Sequence, residues 1–308
     1  MRDITLKPTT LRSATAAGRI RLSTAGITLI RERAVAKGDV LECARIAGLM
    51  AVKRTSDWLP HCHPIPILDA ELGFDFEEDA LMIEARVRTI AATGVEMEAL
   101  TAVSAAALTV YDMMKPHVAS QDLVVGDIQL LQKRGGKSQF ERRIAGARAA
   151  VIVLSDTVAA GRKPDTAGRS VADGLRDAGF TIESYEVLPD EPVQLHARVR
   201  HWLAQEAELI VTVGGTGLGP RDRTVETVKP LLTSELPGLM EAARSFGQAR
   251  TPYAMLSRGI AGLSGSSVVL TFPGSRKGAE ETLAAVLPGL VHLIDVCRLA
   301  RPHAGGYA

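Results

Sequence analysis

The polar, glycine-bearing segment Lys133-Arg-Gly-Gly-Lys-Ser-Gln-Phe-Glu-Arg-Arg-Ile-Ala-Gly-Ala147 separates stretches of different apolar rhythm, and so limits this chain to folds made of two bodies. Before it, apolar spacing predicts a strand near Ile27–Arg33, a helix over Val40–Thr55, strands at Leu68–Phe76 and Leu81–Val87, a helix at Ala99–Met114 and a strand at Val124–Gln132. Strands and helices mix there without strict alternation, so the first half reads as α+β. After it the order is regular: strand Ala149–Leu154, helix Ala167–Ala178, strand Thr181–Val187, helix Gln194–Gln205 and strand Leu209–Val213. A helix near Leu239–Phe246, a strand at Val268–Phe272 and a helix over Lys277–Arg298 follow. This is βαβ grammar, an α/β body on a mostly parallel sheet with ligands at the carboxyl ends of its strands. The expected boundaries are 1–138 for the first domain, 139–147 for the linker and 148–308 for the second domain.

Charge rules out a nucleic-acid-binding body. Residues 1–147 carry 19 Lys+Arg against 18 Asp+Glu, and the remainder 17 against 17. Three scattered cysteines, Cys43, Cys62 and Cys297, make no disulfide framework and fit a reducing compartment. No apolar run approaches the roughly 20 residues of a spanning helix, and the amino terminus lacks an apolar signal core. The expectation is a cytoplasmic protein with no membrane partner.

In the first half, ionisable residues frame an alanine-rich apolar stretch. Glu96 and Glu98 precede it, and Asp112 and Lys115 close it before Pro116 ends the helix. Asp112 and Lys115 share one helical face, as an ordinary i,i+3 ion pair or as an acid–base pair. Glu96 and Glu98 would share a face if extended and point about 200° apart if helical, so their geometry stays open. Lysines brought near one another suit a polyphosphate substrate. His61-Cys62-His63 has no further ligands at structural zinc spacing, which argues against a metal.

Taken in order, Lys37-Gly-Asp, Ala44-Arg-Ile-Ala-Gly48, Lys53-Arg-Thr, Cys62-His-Pro, Thr93-Gly-Val-Glu-Met-Glu-Ala-Leu-Thr-Ala102, Tyr111-Asp-Met and Gly135-Gly-Lys-Ser138 closely resemble the cyclic pyranopterin monophosphate synthase family, MoaC, from about Arg2 to Ser138. The resemblance implies a ferredoxin-like α+β fold, a hexamer, and rearrangement of a cyclised dihydroguanosine triphosphate to cyclic pyranopterin monophosphate with loss of pyrophosphate. It makes Asp112 the catalytic acid–base and Lys115 its partner. Lys37, Lys53 and Lys133 lie around the triphosphate, Cys62, His63, Met97 and Glu98 hold the pterin with Glu96 close by, and no tightly bound cofactor is implied. Two positions depart from the family pattern: His61 replaces an apolar residue, and Ala91-Ala92 stand where a glycine and a lysine are frequent.

In the second half, strand Leu209–Val213 runs into Gly214-Gly-Thr-Gly-Leu-Gly-Pro-Arg-Asp222, a glycine-rich turn able to present backbone N–H groups to phosphate. It matches neither the Walker A nor the dinucleotide fingerprint. Asp190 and Asp222 beside such turns suit a magnesium nucleotide, since hard carboxylate oxygens hold Mg²⁺. Ser155-Asp156, Asp165-Thr-Ala-Gly168, Pro189-Asp190, Gly214-Gly215-Thr216-Gly217, Arg221-Asp222, Ser257-Arg258 and Pro273-Gly-Ser275 together resemble the MoaB/MogA family over roughly Arg148 to Val296. That resemblance implies a three-layer molybdopterin-binding fold in trimers. It further implies adenylylation of molybdopterin with Mg-ATP, with Asp190 and Asp222 as the acidic pair. A module that only binds molybdopterin or fixes the oligomer remains the alternative. The expected partners are phosphorylated pterins and further copies of the same chain, as a hexamer or a trimer-based assembly.

Overall fold

The computed structural model describes residues 1–136 and 144–298. Two compact units result, Met1–Phe140 and Glu141–Ala308. The expected linker, 139–147, and Lys137 and Ser138 lie wholly or partly outside the described residues.

In the first unit β1 (Thr10–Arg21), β2 (Asp69–Phe76), β3 (Ala80–Ala91) and β4 (Val124–Arg134) form an antiparallel sheet in the order β2-β3-β1-β4. The helices are α1 (Thr24–Arg31), α2 (Val40–Lys53), the short α3 (Thr55–Trp58) and α4 (Glu96–Met114). With α2 and α4 as its two main helices, this is the βαββαβ arrangement of a ferredoxin-like fold. Strand β3 alternates strictly, burying Leu81, Ile83, Ala85 and Val87 while Glu84, Arg86 and Arg88 face out.

Strand β1 is absent from the sequence expectation, because its inner face is Ala14, Ala16 and Gly18 before it reaches Ile20, and small residues carry little strand signal. Their size is required by α4: a Cβ on Gly18 would stand 2.6 Å from Val103 Cγ1. The strand expected at Ile27–Arg33 is instead α1. Ser23 caps its N-terminus by accepting from the Gly26 N–H, and the apolar cluster buries Ile27 and Ile30 at i,i+3 spacing.

The second unit contains β5 (Arg148–Leu154), α5 (Asp156–Ala159), α6 (Ala167–Asp177), β6 (Thr181–Leu188), α7 (Pro192–Ala204), β7 (Leu209–Val213), α8 (Thr224–Val228), β8 (Ser234–Glu235), α9 (Pro237–Gln248), β9 (Ala261–Ser264), β10 (Ser267–Phe272) and α10 (Arg276–Cys297). The sheet order is β6-β5-β7-β10-β9-β8. The first four strands are parallel, and β9 and β8 add antiparallel at one edge. One face packs against α6, α9 and α10 through Val171, Met240 and Leu290, and the other against α7 and α8 through Leu195, Val199 and Val228. Burial on both faces explains why β5, β7 and β10 read as unbroken apolar runs. Because β5 connects outward to β6 and then the chain crosses to β7, the order reverses between β5 and β7, which places a crevice at their carboxyl ends.

Candidate functional sites

In the first unit, the site residues fall into two groups at opposite ends of α4. At its C-terminal end, Asp112 Oδ1 lies 2.7 Å from Lys115 Nζ, the i,i+3 contact expected from spacing. Lys37, from the turn before α2, donates its Nζ to Asp112 Oδ2 at 3.0 Å and to the Asp112 carbonyl at 3.0 Å. Hydrogen bonds and charge from Lys115 and then Lys37 hold the Asp112 carboxyl below its ordinary range, while Asp112 raises Lys115. The Asp112 carboxylate is thus held between the side chains of Lys115 and Lys37 at the surface of the helix end.

At the other end, Glu96, Met97 and Glu98 form the first turn of α4, which settles their geometry as helical. Glu98 turns inward, 2% exposed, whereas Met97 is exposed and Glu96 half-buried. The Cys62 thiol donates to Glu98 Oε1 at 3.5 Å. Burial, then the Glu98 charge, pushes the Cys62 thiol up to about 11, so it stays protonated. Burial also raises the Glu98 carboxyl, and its Oε2 is buried with no hydrogen-bond partner among the described residues. Lys133, near the end of β4, pairs with Glu96 at 3.3 Å. His63 is half-buried beside Cys62, and Lys53 is exposed as the last residue of α2.

Arg12 on β1 joins this end unforeseen: it is buried, donates Nε to the Ala91 carbonyl at 3.2 Å and feels the Glu96 charge. Nothing in the local pattern around Arg12 marks it, because its neighbours come from other strands. Glu98 and Asp112 stand fourteen positions apart on one helix, about 21 Å along the axis.

In the second unit, a cavity of about 600 Å³ opens at the carboxyl ends of β5 and β7, lined by Ser155, Asp190, Gly214, Gly215, Thr216, Gly217 and Asp222 among others. Asp156 and Asp190 exchange hydrogen bonds, each carboxylate accepting from the other's backbone N–H at 3.0 Å. Arg221 bridges Asp156 at 2.7 Å and Glu191 at 2.9 Å. Asp190 makes no ion pair among the described residues: burial first, then the charges of Asp156 and Asp222, raise its carboxyl, against the lowering effect of the Asp156 N–H and the Arg221 charge. The Asp222 carboxylate accepts the Gly219 N–H at 2.8 Å.

Gly215 adopts φ +63°, and Thr224 behind it donates Oγ1 to the Gly214 carbonyl at 2.9 Å. The N–H groups of Gly215, Thr216, Gly217 and Leu218, all lining the cavity, enter no hydrogen bond among the described residues. Ser275 accepts the Gly278 N–H as the cap of α10, and its neighbours Pro273 and Gly274 reach the cavity instead. Among the described residues no group of three or more His, Cys, Asp or Glu side chains is placed to hold a metal ion.

Residues 1–136 match the MoaC family, and residues 150–292 match the "Probable molybdopterin binding domain" family. The chain is 42% identical over 298 residues to the molybdenum cofactor biosynthesis bifunctional protein of Chlorobaculum tepidum, covering 97% of this chain and 94% of that one. It is 38% identical over 312 residues to the protein of the same description from Synechococcus elongatus, covering 97% of each. Its first half is 50% identical over 145 residues to the cyclic pyranopterin monophosphate synthase of Thermomicrobium roseum, which spans 46% of this chain and 86% of that one.

Proposed function

The chain belongs to the bifunctional molybdenum cofactor biosynthesis proteins, and on that premise we propose how its two units divide the chemistry. The first is a cyclic pyranopterin monophosphate synthase, converting a cyclised dihydroguanosine triphosphate to the cyclic monophosphate and pyrophosphate. The second adenylylates molybdopterin with Mg-ATP, again releasing pyrophosphate.

For the first unit, the carrying observation is the separation of its two groups. The start of α4 offers a ring site: the Glu98 Oε2 atom has no partner, and the aminopyrimidinone edge of a pterin carries N–H donors to meet it. The end of α4 offers proton transfer at Asp112 and Lys115. A gap of about 21 Å keeps one chain from presenting both to the same reacting atoms. Two copies, arranged so that the Asp112 end of one meets the Glu98 end of the other, complete the site. Lys37, Lys53, Lys133 and Arg12 then surround the triphosphate. A hexamer with threefold symmetry supplies repeated interfaces of this kind.

For the second unit, the carrying observation is the row of unused N–H groups from Gly215 to Leu218, a concave donor set for a phosphate. Asp190 fits a divalent cation brought by the nucleotide, because it is a cavity-lining, partly desolvated carboxylate that feels the like charges of Asp156 and Asp222 and makes no direct ion pair among the described residues. Asp190 and Asp222 would be its protein ligands, and since no group of three or more such side chains is placed to hold a metal among the described residues, the remaining oxygens would come from phosphate and water. Held there, Mg²⁺ would shield phosphate charge. Incubating the full chain with Mg-ATP and molybdopterin tests this reading: adenylylated pterin and pyrophosphate are expected. Pterin binding without product would make this unit a binding and assembly module.

No helix among the described residues is long and apolar enough to cross a membrane, and Cys43, Cys62 and Cys297 are free thiols. Both fit work in the cytoplasm.

A further inference from the structure

We propose that Arg258 is the positioning residue that gives the Gly214–Asp222 loop its anion-binding shape, an inference that rests on reading this loop as the second unit's phosphate site. The argument starts from peptide geometry. In a planar trans peptide the C=O of one residue and the N–H of the next point in opposite directions, so fixing a carbonyl on one side aims the following N–H to the other. The N–H groups of Gly215, Thr216, Gly217 and Leu218 belong to the peptide units whose carbonyls are those of Gly214, Gly215, Thr216 and Gly217. All four carbonyls are held. Thr224 takes the first two, with Oγ1 on Gly214 O at 2.9 Å and its backbone N–H on Gly215 O at 3.1 Å.

Arg258 takes the second two. Its backbone N–H reaches Thr216 O at 3.2 Å, and its Nε donates to Gly217 O at 2.8 Å. The same guanidinium donates Nη2 to Asp222 O at 2.7 Å, at the far end of the loop, and Nη1 pairs with Glu226 on α8. One planar, forked cation thus ties the middle of the glycine turn to its far end and anchors both to the following helix. A lysine ammonium on a flexible stem cannot span three acceptors set this way. Without the guanidinium, the Gly217–Leu218 peptide is free to rotate its carbonyl toward the cavity, where it would repel a phosphate. Asp222 would lose the anchor on its carbonyl and keep its N–H bond to the Gly219 carbonyl.

The test uses the full chain, Arg258→Ala and Arg258→Lys, with two readouts: hydrogen exchange of the segment 214–223, followed at its hydrogen-bonded amides Gly214, Gly219 and Asp222, and titration with Mg-ATP fitted for both Kd and stoichiometry. Arg258→Ala is expected to speed exchange in that segment and not elsewhere in the second unit. It should raise Kd roughly ten- to a hundred-fold at unchanged stoichiometry, with Arg258→Lys in between. Unchanged loop exchange would overturn the proposal. So would exchange that rises evenly through the unit with a reduced stoichiometry and a wild-type Kd, the signature of a merely structural arginine. If Arg258→Ala does not fold, Arg258→Lys carries the same comparison. Should the wild-type chain itself bind no Mg-ATP, the nucleotide reading of the unit fails, while the exchange data still decide whether Arg258 shapes the loop.

Discussion

Replacing Glu98 by methionine should make the protein more stable and useless as a synthase. Glu98 is 2% exposed, burial raises its carboxyl, and Oε2 has no partner. A buried acceptor left unsatisfied costs about 1–3 kcal/mol, and an apolar side chain of similar length removes that cost while filling the same space. The loss of the weak Cys62 thiol contact offsets little of this. Taking ~2 kcal/mol as the gain, a unit of this size melts on the order of 6 °C higher. The gain depends on pH with a definite sign. Below the ordinary glutamate value of 4.5 the group is neutral in both states and contributes no ionic penalty. As pH rises from there towards the raised folded value, the unfolded chain sheds its proton first, wild-type stability falls, and the advantage of methionine grows. Thermal unfolding of both proteins at about pH 5 and about pH 8, at one protein concentration, reads the difference, and product formation reads the lost ring contact. A lower melting temperature for Glu98→Met, or normal turnover, would refute the orphaned-carboxyl argument.

Further expectations concern each site separately. Asp112→Asn or Lys115→Ala should abolish cyclic pyranopterin monophosphate formation while leaving the fold intact, because both side chains are exposed; circular dichroism and turnover check the pair, and near-normal activity in either variant contradicts the assignment. Gly215→Ala forces a Cβ to within 2.2 Å of Thr224 Oγ1 at φ +63°, costing at least about 1–2 kcal/mol of backbone strain. It should weaken pyrophosphate binding by the second unit, read by titration, and leave synthase activity unchanged.

How much of this was legible in the sequence depended on burial. Parallel strands sandwiched between helix layers need apolar residues at every position, so Leu209–Val213 could be bounded from its residues alone. Strand β1 could not, because closeness to α4 demands alanine and glycine where strand propensity would ask for valine or isoleucine. The segment at α1 misled for the opposite reason: a short apolar cluster fits either period, and the Ser23 cap decides between them. Among site residues, Asp112 and Lys115 follow from helical spacing alone. Lys37 meets Asp112 from a remote turn, a contact that spacing alone does not reveal, while Arg12, bonded to Ala91 on β3 and close to Glu96 on α4, was missed. The Gly214–Gly217 turn was visible as a glycine cluster. Which of its polar groups face the cavity depends on Thr224 and Arg258, the latter more than thirty residues away in sequence.

The claim that the synthase site is completed by a second copy is tested most directly by mixing two inactive chains, one carrying Glu98→Gln and the other Asp112→Asn, after joint unfolding and reassembly. If each site takes Glu98 from one copy and Asp112 from another, random assembly of equal amounts restores about a quarter of the wild-type sites, and activity returns to that level. If each chain carries its own complete site, the mixture stays as inactive as its components.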